Sequence, residues 1–357
     1  MRGVYRNPRG FIDLSKIEYI PESITPKEKD ILKYGDLLFN TRNTLDLVGK
    51  VAIWRDELPI AYYNSNLMHL IFKKEKINST FFANYFFNSF FCIMNLRGIA
   101  TGTTSVAAIY TRDLLEIPFI VPPLPEQTAI ATVLSDTDAL IASLDKLIAK
   151  KKDIKQAAMQ ELLTGKRRLP GFEEGKGYKQ TDVGMIPEDW TLKELGSICK
   201  IYGRIGFRGY TVNDIVTEGK GAIAINPSNI QENKTDFSKC TYISWKKYEE
   251  SPEIKINEGD VLLVKTGSTF GKTAIVQMLP EKATINPQLV VLKKIQANNS
   301  FLSYVMAFPV IQNQILNAVV GGALPTLSQK LMEKFILPLP SLSEQTAIAS
   351  ILSDMDD

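Results

Sequence analysis

The chain repeats itself, and the repeat constrains its fold more than any other feature. Residues 126–138, EQTAIATVLSDTD, recur at 344–356 as EQTAIASILSDMD, identical at ten of thirteen positions, with conservative exchanges at Thr132/Ser350 and Val133/Ile351. Upstream, PFIVPPLPEQ (118–127) answers FILPLPSLSEQ (335–345), GDLLFNTRNTLDLVGKVAI (35–53) answers GDVLLVKTGSTFGKTAIV (259–276), and FIDLSKIEYI (11–20) answers TDFSKCTYIS (235–244). The offset drifts from 223 at Tyr19/Tyr242 to 218 at Glu126/Glu344, so two lobes share a framework and differ by insertions in their loops. A common scaffold with variable loops suits two recognition modules with different targets, and it suits any tandem duplication equally well.

Each lobe reads as α+β. Short β-like runs, Asp36 to Phe39 and Val51 to Trp54 in the first and Asp260 to Val264 and Thr273 to Val276 in the second, are punctuated by Gly, Asn and Pro. Apolar-dense stretches at 79–96 and 300–319 hold equivalent places and predict helices packed on the β layer. A proline-rich segment, VPPLP (121–125) or LPLPSLS (337–343), precedes each EQ element and fixes a stiff approach. Residues 126–164 contain neither Gly nor Pro and predict one helix about 58 Å long, at about 1.5 Å per residue. Its apolar residues recur at threes and fours, and Ile130, Leu134, Ile141, Leu144 and Ile148 form the face expected to bind a partner helix. Gly165 is placed to stop the helix, and a polar stretch follows.

These signals divide the chain into a first lobe (1–125), a spacer helix (126–165), a flexible linker (166–186), a second lobe (187–343) and the start of a second spacer helix (344–357). A length of 357 residues suits two lobes and a connector, and 45% hydrophobic residues suffice for a core in each. No apolar run approaches the roughly 20 residues of a membrane span, so no membrane partner is expected and the cytoplasm is the expected compartment. Cys92, Cys199 and Cys240 are too far apart for a thiolate cage and read as buried thiols; His69, in NSNLMHLIF, reads as a packed core residue. A net charge of +3 excludes a polycation yet allows a basic stripe: residues 146–168 carry eight Lys or Arg against Asp153 and Glu161.

Enzymatic readings find little support. GSTFGKT (267–273) has three residues between its first Gly and Gly-Lys where a phosphate loop needs four, and TAIVQM after it reads as strand. Asp236 with Glu253 and Lys255 could hold Mg²⁺ as in a nuclease, but such triplets arise often by chance. Asn286 and Pro287 alone do not make a base-methylating pocket, and no glycine-rich cofactor loop accompanies them. No catalytic residue and no metal ligand is therefore expected.

Three patterns, PPLPEQ opening a long helix, ELLTGKRRLPGF (161–172) at its end and VGMIPEDWTLKELGSI (183–198) opening the next lobe, together with the repeat resemble the specificity subunit of type I restriction-modification enzymes. The resemblance implies an α+β fold with two similar target-recognition domains joined by long helices, which form an antiparallel coiled coil in that family. It implies a non-catalytic chain without a cofactor of its own. Double-stranded DNA read as a split site and methyltransferase subunits would be its partners, a restriction subunit could join, and the spacer helix offers a route to self-association. S-adenosylmethionine, ATP and Mg²⁺ would belong to the partner subunits. Against the family plan Met1 falls opposite Ala224 and Asp357 opposite Ala139, so the chain is expected to be shortened at both ends, with an N-terminally incomplete first recognition domain. The alternative to a DNA reader is a truncated interaction scaffold, or a recombination donor for an intact specificity subunit.

Reading DNA requires cations for phosphates and forked donors or amides for base edges. The family's small-residue turn ending in Gly-Lys matches Gly267, Ser268, Gly271 and Lys272, flanked by Lys265, Thr266 and Thr269. In the first lobe Gly49 and Lys50 match, while Arg42, Asn43 and Thr44 replace the small residues. YGRIGFRGY (202–210) adds Arg204, Arg208 and Tyr210. A polar hairpin and a solvated loop are the alternatives for these segments.

Overall fold

The computed structural model describes residues 10–21, 23, 28–102, 105–173, 177–204, 208–318 and 326–356. Residues 1–9, 174–176 of the expected linker, 205–207 of the basic and aromatic segment, Val319 and Asp357 lie outside the described residues. The chain divides into two compact units, Met1–Ile148 and Ala149–Asp357.

In the first unit the elements are β1 (Leu37–Asn40), β2 (Arg42–Asn43), β3 (Val51–Ile53), β4 (Leu67–Leu70), α1 (Thr80–Phe87), α2 (Phe90–Ile99), β5 (Thr101–Gly102), β6 (Ala107–Ala108), α3 (Thr111–Leu114) and α4 (Leu124–Leu162), which continues into the second unit. The main sheet has the antiparallel order β3-β1-β4. All four residues of β1 are buried because the sheet is covered on both faces. Leu37, Phe39, Val51 and Ile53 pack with Ala83, Phe87, Cys92 and Leu96 of the helices, whereas Leu38, Ala52 and Trp54 pack on the other side with Leu32. Period-two alternation thus serves two cores, which is why the sequence reads as an unbroken apolar run. Each of these fully buried leucines contributes about 1.5–3 kcal/mol relative to exposure.

The second unit contains β7 (Tyr178–Thr181), β8 (Gly184–Pro187), β9 (Thr191–Glu194), α5 (Leu195–Ile198), β10 (Lys200–Gly203), β11 (Ile215–Val216), β12 (Gly221–Ile225), β13 (Ile230–Gln231), β14 (Lys234–Thr235), β15 (Thr241–Ser244), α6 (Trp245–Glu249) and β16 (Lys255–Ile256). It continues with β17 (Val261–Val264), β18 (Thr273–Ile275), β19 (Ala283–Ile285), β20 (Leu289–Lys293), α7 (Asn299–Ala307), α8 (Pro309–Asn317), α9 (Gln329–Met332), β21 (Ile336–Leu339) and α10 (Leu342–Asp354). Its two large sheets run β10-β20-β17-β18-β14-β13 and β11-β15-β12-β19-β16. At the centre of the first, β17 lies between β18 and β20 as β1 lies between β3 and β4: Val261 faces Leu292 as Leu37 faces Leu70.

Both stretches expected as single helices break at equivalent points. The first breaks at Asn88–Ser89, where the Ser89 hydroxyl accepts from the Cys92 amide at 3.3 Å and starts α2; the second breaks at Phe308, with Pro309 as the first residue of α8. The long helix begins two residues earlier than expected, since Pro125 is tolerated in a first turn, and Gly165 follows it at φ +70°. A Cβ at Gly165 would lie 2.5 Å from Pro187 Cγ, so the chain turns there against the start of the second lobe. Within the stretch expected as a linker, β7 and β8 pair as a hairpin, and the Tyr178 hydroxyl donates to the Gly165 carbonyl at 3.0 Å.

His69 departs from the expected core position. It lies on the edge strand β4, half-buried, with Nε2 3.3 Å from Asp36 Oδ1. Of the three thiols, Cys92 and Cys199 are buried and Cys240 is half-buried. Burial pushes the Cys92 thiol up to about 11 and the Cys199 thiol up to about 12, so neither is a nucleophile at neutral pH. Among the described residues no helix is long and apolar enough to cross a membrane.

Candidate functional site

The two Gly-Lys turns have one backbone design. In the first unit the Gly49 amide donates to the Asn40 carbonyl at 2.8 Å and the Asn40 amide to the Lys50 carbonyl at 2.9 Å. In the second, Gly271 donates to Val264 at 2.9 Å and Val264 to Lys272 at 2.8 Å. Gly49 and Gly271 hold φ of +79° and +83°, which favours glycine, and each approaches a helix: an added Cβ would lie 3.3 Å from Leu96 Cβ of α2, and 3.0 Å from Ile109 Cδ1, at Gly49, and 3.0 Å from Gln312 Oε1 of α8 at Gly271. The same close approach is therefore required twice. What differs is the content of the turn.

In the first unit Arg42 and Asn43 form β2 and pair with β6, placing an exposed guanidinium beside half-buried Asn43, Thr44 and Lys50. The Thr44 amide donates to Asn43 Oδ1 at 2.9 Å, fixing the amide side chain. Burial lowers the Lys50 ammonium, with Asp46 opposing and Arg97 adding to the effect. In the second unit Ser268 and Lys272 are exposed, and Lys265, Thr266 and Thr269 are half-buried. Thr266 occupies the position of Arg42, bridging to Thr326 with the two hydroxyls 3.2 Å apart. Desolvation lowers the Lys265 ammonium; no ion pair to it occurs among the described residues, and an anion beside it would relieve that cost.

The segment 204–210 corrects one expectation. Arg204 is buried, 3% exposed, and its guanidinium donates to the Ile285 carbonyl at 3.2 Å, the Thr284 hydroxyl at 3.0 Å and the Arg208 carbonyl at 3.2 Å. Strand β19 supplies acceptors that no sequence window displays, so this arginine is tied from inside to β19 and to the Arg208 backbone. Tyr210 is half-buried over Arg204, its ring centroid 5.6 Å from the guanidinium carbon, and its hydroxyl accepts from Asn286 at 2.8 Å. Arg208 reaches the surface and pairs with Glu253 at 3.6 Å.

Both second-unit groups converge on residues 285–288. Arg204 holds the Ile285 carbonyl, Tyr210 holds Asn286, and the Lys265 amide donates to the Gln288 carbonyl at 2.8 Å. Asn286 also donates to Asn226 Oδ1 at 2.8 Å, and Asn226 donates to the Thr241 hydroxyl at 3.0 Å. Sequence reading missed this amide chain; the two INP triplets, at 225–227 and 285–287, were its only signal. The residues considered for a nuclease are engaged elsewhere. Asp236 accepts from Ser238 and Gln231, and Lys255 pairs with Glu249 and lies over the Tyr248 ring. Among the described residues no cluster of His, Cys, Asp or Glu could hold a metal ion.

The EQ elements act as locks. Gln127, fully buried, accepts from the Asn78 amide at 3.3 Å and donates to the Lys76 and Pro122 carbonyls at 2.7 and 2.9 Å. Gln345 accepts from the Asn298 amide at 2.9 Å and donates to the Pro340 carbonyl at 2.9 Å, so both copies tie the loop before α1 or α7 to the helix start. Beyond these anchored turns the α4 face is open: Ile130 and Ile141 are half-buried, while Leu134, Leu144 and Ile148 are 38%, 49% and 53% exposed. The basic stripe is partly paired within its own unit, Lys152 with Glu232 at 2.6 Å, Lys155 with Asp356, and Arg168 with Glu344 and Asp189 at 2.6 and 3.0 Å. Burial lowers the Arg168 guanidinium, but its hydrogen bonds to Asp189 and Glu344 outweigh this and raise it overall.

Comparison with known proteins agrees with this architecture. The type I restriction modification DNA specificity domain matches residues 6–154 and again residues 187–357. A Methanocaldococcus jannaschii chain described as the specificity subunit of type I restriction enzyme MjaX is 29% identical over 352 residues, covering 97% of this chain and 77% of that one. The EcoBI specificity subunit of Escherichia coli is 23% identical over 343 residues, covering 92% and 67%. The S subunit of a type I restriction-modification system from M. genitalium superposes with a TM-score of 0.56 at 15% identity, covering 90% of this chain and 76% of that one, a likeness of fold. Two matched domains, one over each copy of the internal repeat, place the chain in the type I restriction modification DNA specificity family, as a non-catalytic specificity subunit of a type I restriction-modification system.

Proposed function

We propose that the chain binds double-stranded DNA in a sequence-specific way, each lobe reading one half of a bipartite site, and that it directs methyltransferase subunits to that site. The observation that carries this reading is the Gly-Lys turn built twice on one backbone plan with different polar contents, Arg42-Asn43-Thr44 in one copy and Thr266, Ser268 and Thr269 in the other. A constant cation, Lys50 or Lys272, suits a phosphate, and the variable residues suit base edges. Lys265 and Arg208 would extend the phosphate-facing set, with Tyr210 and buried Arg204 positioning the loop. In this reading residues 1–125 and 187–343 are the target-recognition domains, 126–165 the spacer between half-sites and 166–186 the linker. Catalysis, with S-adenosylmethionine for methylation and ATP and Mg²⁺ for cleavage, resides in the methyltransferase and restriction partners in the cytoplasm.

Selection of bound sequences from a random duplex pool, with the chain assembled on its methyltransferase, tests the proposal. Lys272→Ala is expected to weaken specific and random duplex alike and to flatten the salt dependence. Arg42→Ala is expected to relax one half-site, by about 1–3 kcal/mol for a bidentate guanine contact. Equal loss on all sequences from Arg42→Ala would sink its role as a base reader, and no salt-dependent binding at all would sink the DNA reading.

A further inference from the structure

Beside each Gly-Lys turn the chain builds a second feature twice. Just before β4 the Asn66 amide donates to Asn64 Oδ1 at 3.1 Å, and just before β20 the Gln288 amide donates to Asn286 Oδ1 at 2.8 Å. The next residue closes the same turn: Leu67 donates to the Asn64 carbonyl and Leu289 to the Asn286 carbonyl, both at 3.0 Å. The strand that enters the Gly-Lys turn takes the remaining carbonyl, that of Asn66 by the Thr41 amide at 2.9 Å and that of Gln288 by the Lys265 amide at 2.8 Å. In both lobes an asparagine therefore fixes the backbone of the residue two places on, and in both that residue carries a side-chain amide.

Neither amide side chain holds the fold together. Among the described residues the side chains of Asn66, exposed, and Gln288, half-buried, make no hydrogen bond. Gln288 lies against the turn itself: a Cβ on Gly267, at φ +104°, would be 2.9 Å from its Nε2, so glycine leaves room there for the longer amide. The repeat sets Asn43 opposite Gly267, and in that lobe the shorter Asn66 stands opposite Gln288. The amide chain of the second unit, from Thr241 through Asn226 to Asn286 with Tyr210 on the last, ends at the Gln288 backbone. A donor and an acceptor on one fork are thus fixed at the backbone beside half-buried Lys265, with their own hydrogen bonds unmade.

We propose that Asn66 and Gln288 are specificity-determining residues, each reading one adenine in the major groove, one in each half-site. The inference rests on the DNA reading proposed above and adds readers that lie outside the Gly-Lys turns. The amide oxygen would accept from adenine N6 and the amide nitrogen would donate to N7. Adenine presents a donor and an acceptor side by side on that edge, whereas guanine presents two acceptors, so the fork matches adenine. A phosphate offers acceptors only and would leave the amide oxygen unpaired.

The test selects duplexes from a random-sequence pool with the full chain assembled on its methyltransferase, comparing the parent with Asn66→Ala, Gln288→Ala and Gln288→Glu. The parent is expected to select adenine at a position in each half-site. Asn66→Ala should lose that preference in one half-site and Gln288→Ala in the other, by about tenfold or more, with affinity for random duplex held within about twofold. Gln288→Glu keeps the size of the side chain but removes its donor, and should move the preference from adenine to cytosine, whose N4 donates. That variant carries the test if the shorter alanine lowers the melting temperature. Variants that select the same bases as the parent would overturn the proposal and leave the DNA reading standing. So would relaxation of one and the same half-site by both alanine changes, or a uniform loss on every sequence, which would assign the amides to the phosphate backbone. A parent without salt-dependent binding to any duplex would sink the DNA reading and this proposal with it.

Discussion

At the scale of single residues, the side chains that decide this fold are buried amides and one ion cluster. Gln127, itself fully buried, satisfies two carbonyls and one amide of a part-buried loop. Each group left without a partner costs about 1–3 kcal/mol, so Gln127→Ala is expected to destabilise the first unit by at least about 2 kcal/mol, read as a lower denaturant midpoint for probes in residues 37–119. A shift below about 0.5 kcal/mol would mean that water replaces the amide without loss. In the second unit Arg168 makes two hydrogen bonds to Glu344 and two to Asp189, and its guanidinium carbon lies 5.8 Å from the Trp190 ring centroid. Of the EQ pair, the glutamine does the same work in both units, while Glu344 is buried and Glu126 is exposed. The identity of the motif in sequence therefore conceals two different fates for its carboxylate.

The elements themselves follow from local physics, and their ends do not always. Strands β1, β3, β17 and β18 form where apolar, β-branched runs predict them. Composition alone made single helices of 79–96 and 300–319; a serine cap and a proline at a first helical position break both, a signal present in the sequence but outweighed by apolar density. Helix α4 presents Val133, Leu140, Leu144, Leu147 and Ile148 to solvent, all more than 48% exposed. An apolar stripe of this length favours association, at about 1.5–3 kcal/mol for each fully buried residue. Light scattering or sedimentation of the isolated chain at micromolar concentration is expected to show association, or a need for the methyltransferase to stay soluble. The double change Leu144→Glu, Ile148→Glu should abolish it; a monomer indifferent to both substitutions would remove α4 from any assembly role.

For the whole molecule, the expected outcome of membership in a specificity family is a chain without chemistry of its own. Purified alone and supplied with Mg²⁺, ATP and S-adenosylmethionine, it should neither cleave nor methylate duplex DNA; cleavage abolished by Glu253→Ala would overturn that expectation. The sequence by itself determined the duplication, the α+β class, the long helix and the Gly-Lys turns, because repeats, hydrophobic period and glycine placement are local and additive along a chain. Tertiary structure alone decided that Arg204 is internal while Arg42 is exposed, that Asn226 and Asn286 form one amide chain, and that 190–203 covers two edges in one unit while, among the described residues, no strand pairs with the matching edges of the other. These depend on partners tens of residues away, here β19, β20 and β21, and no window of sequence carries the burial or the hydrogen-bond acceptors that distant strands supply.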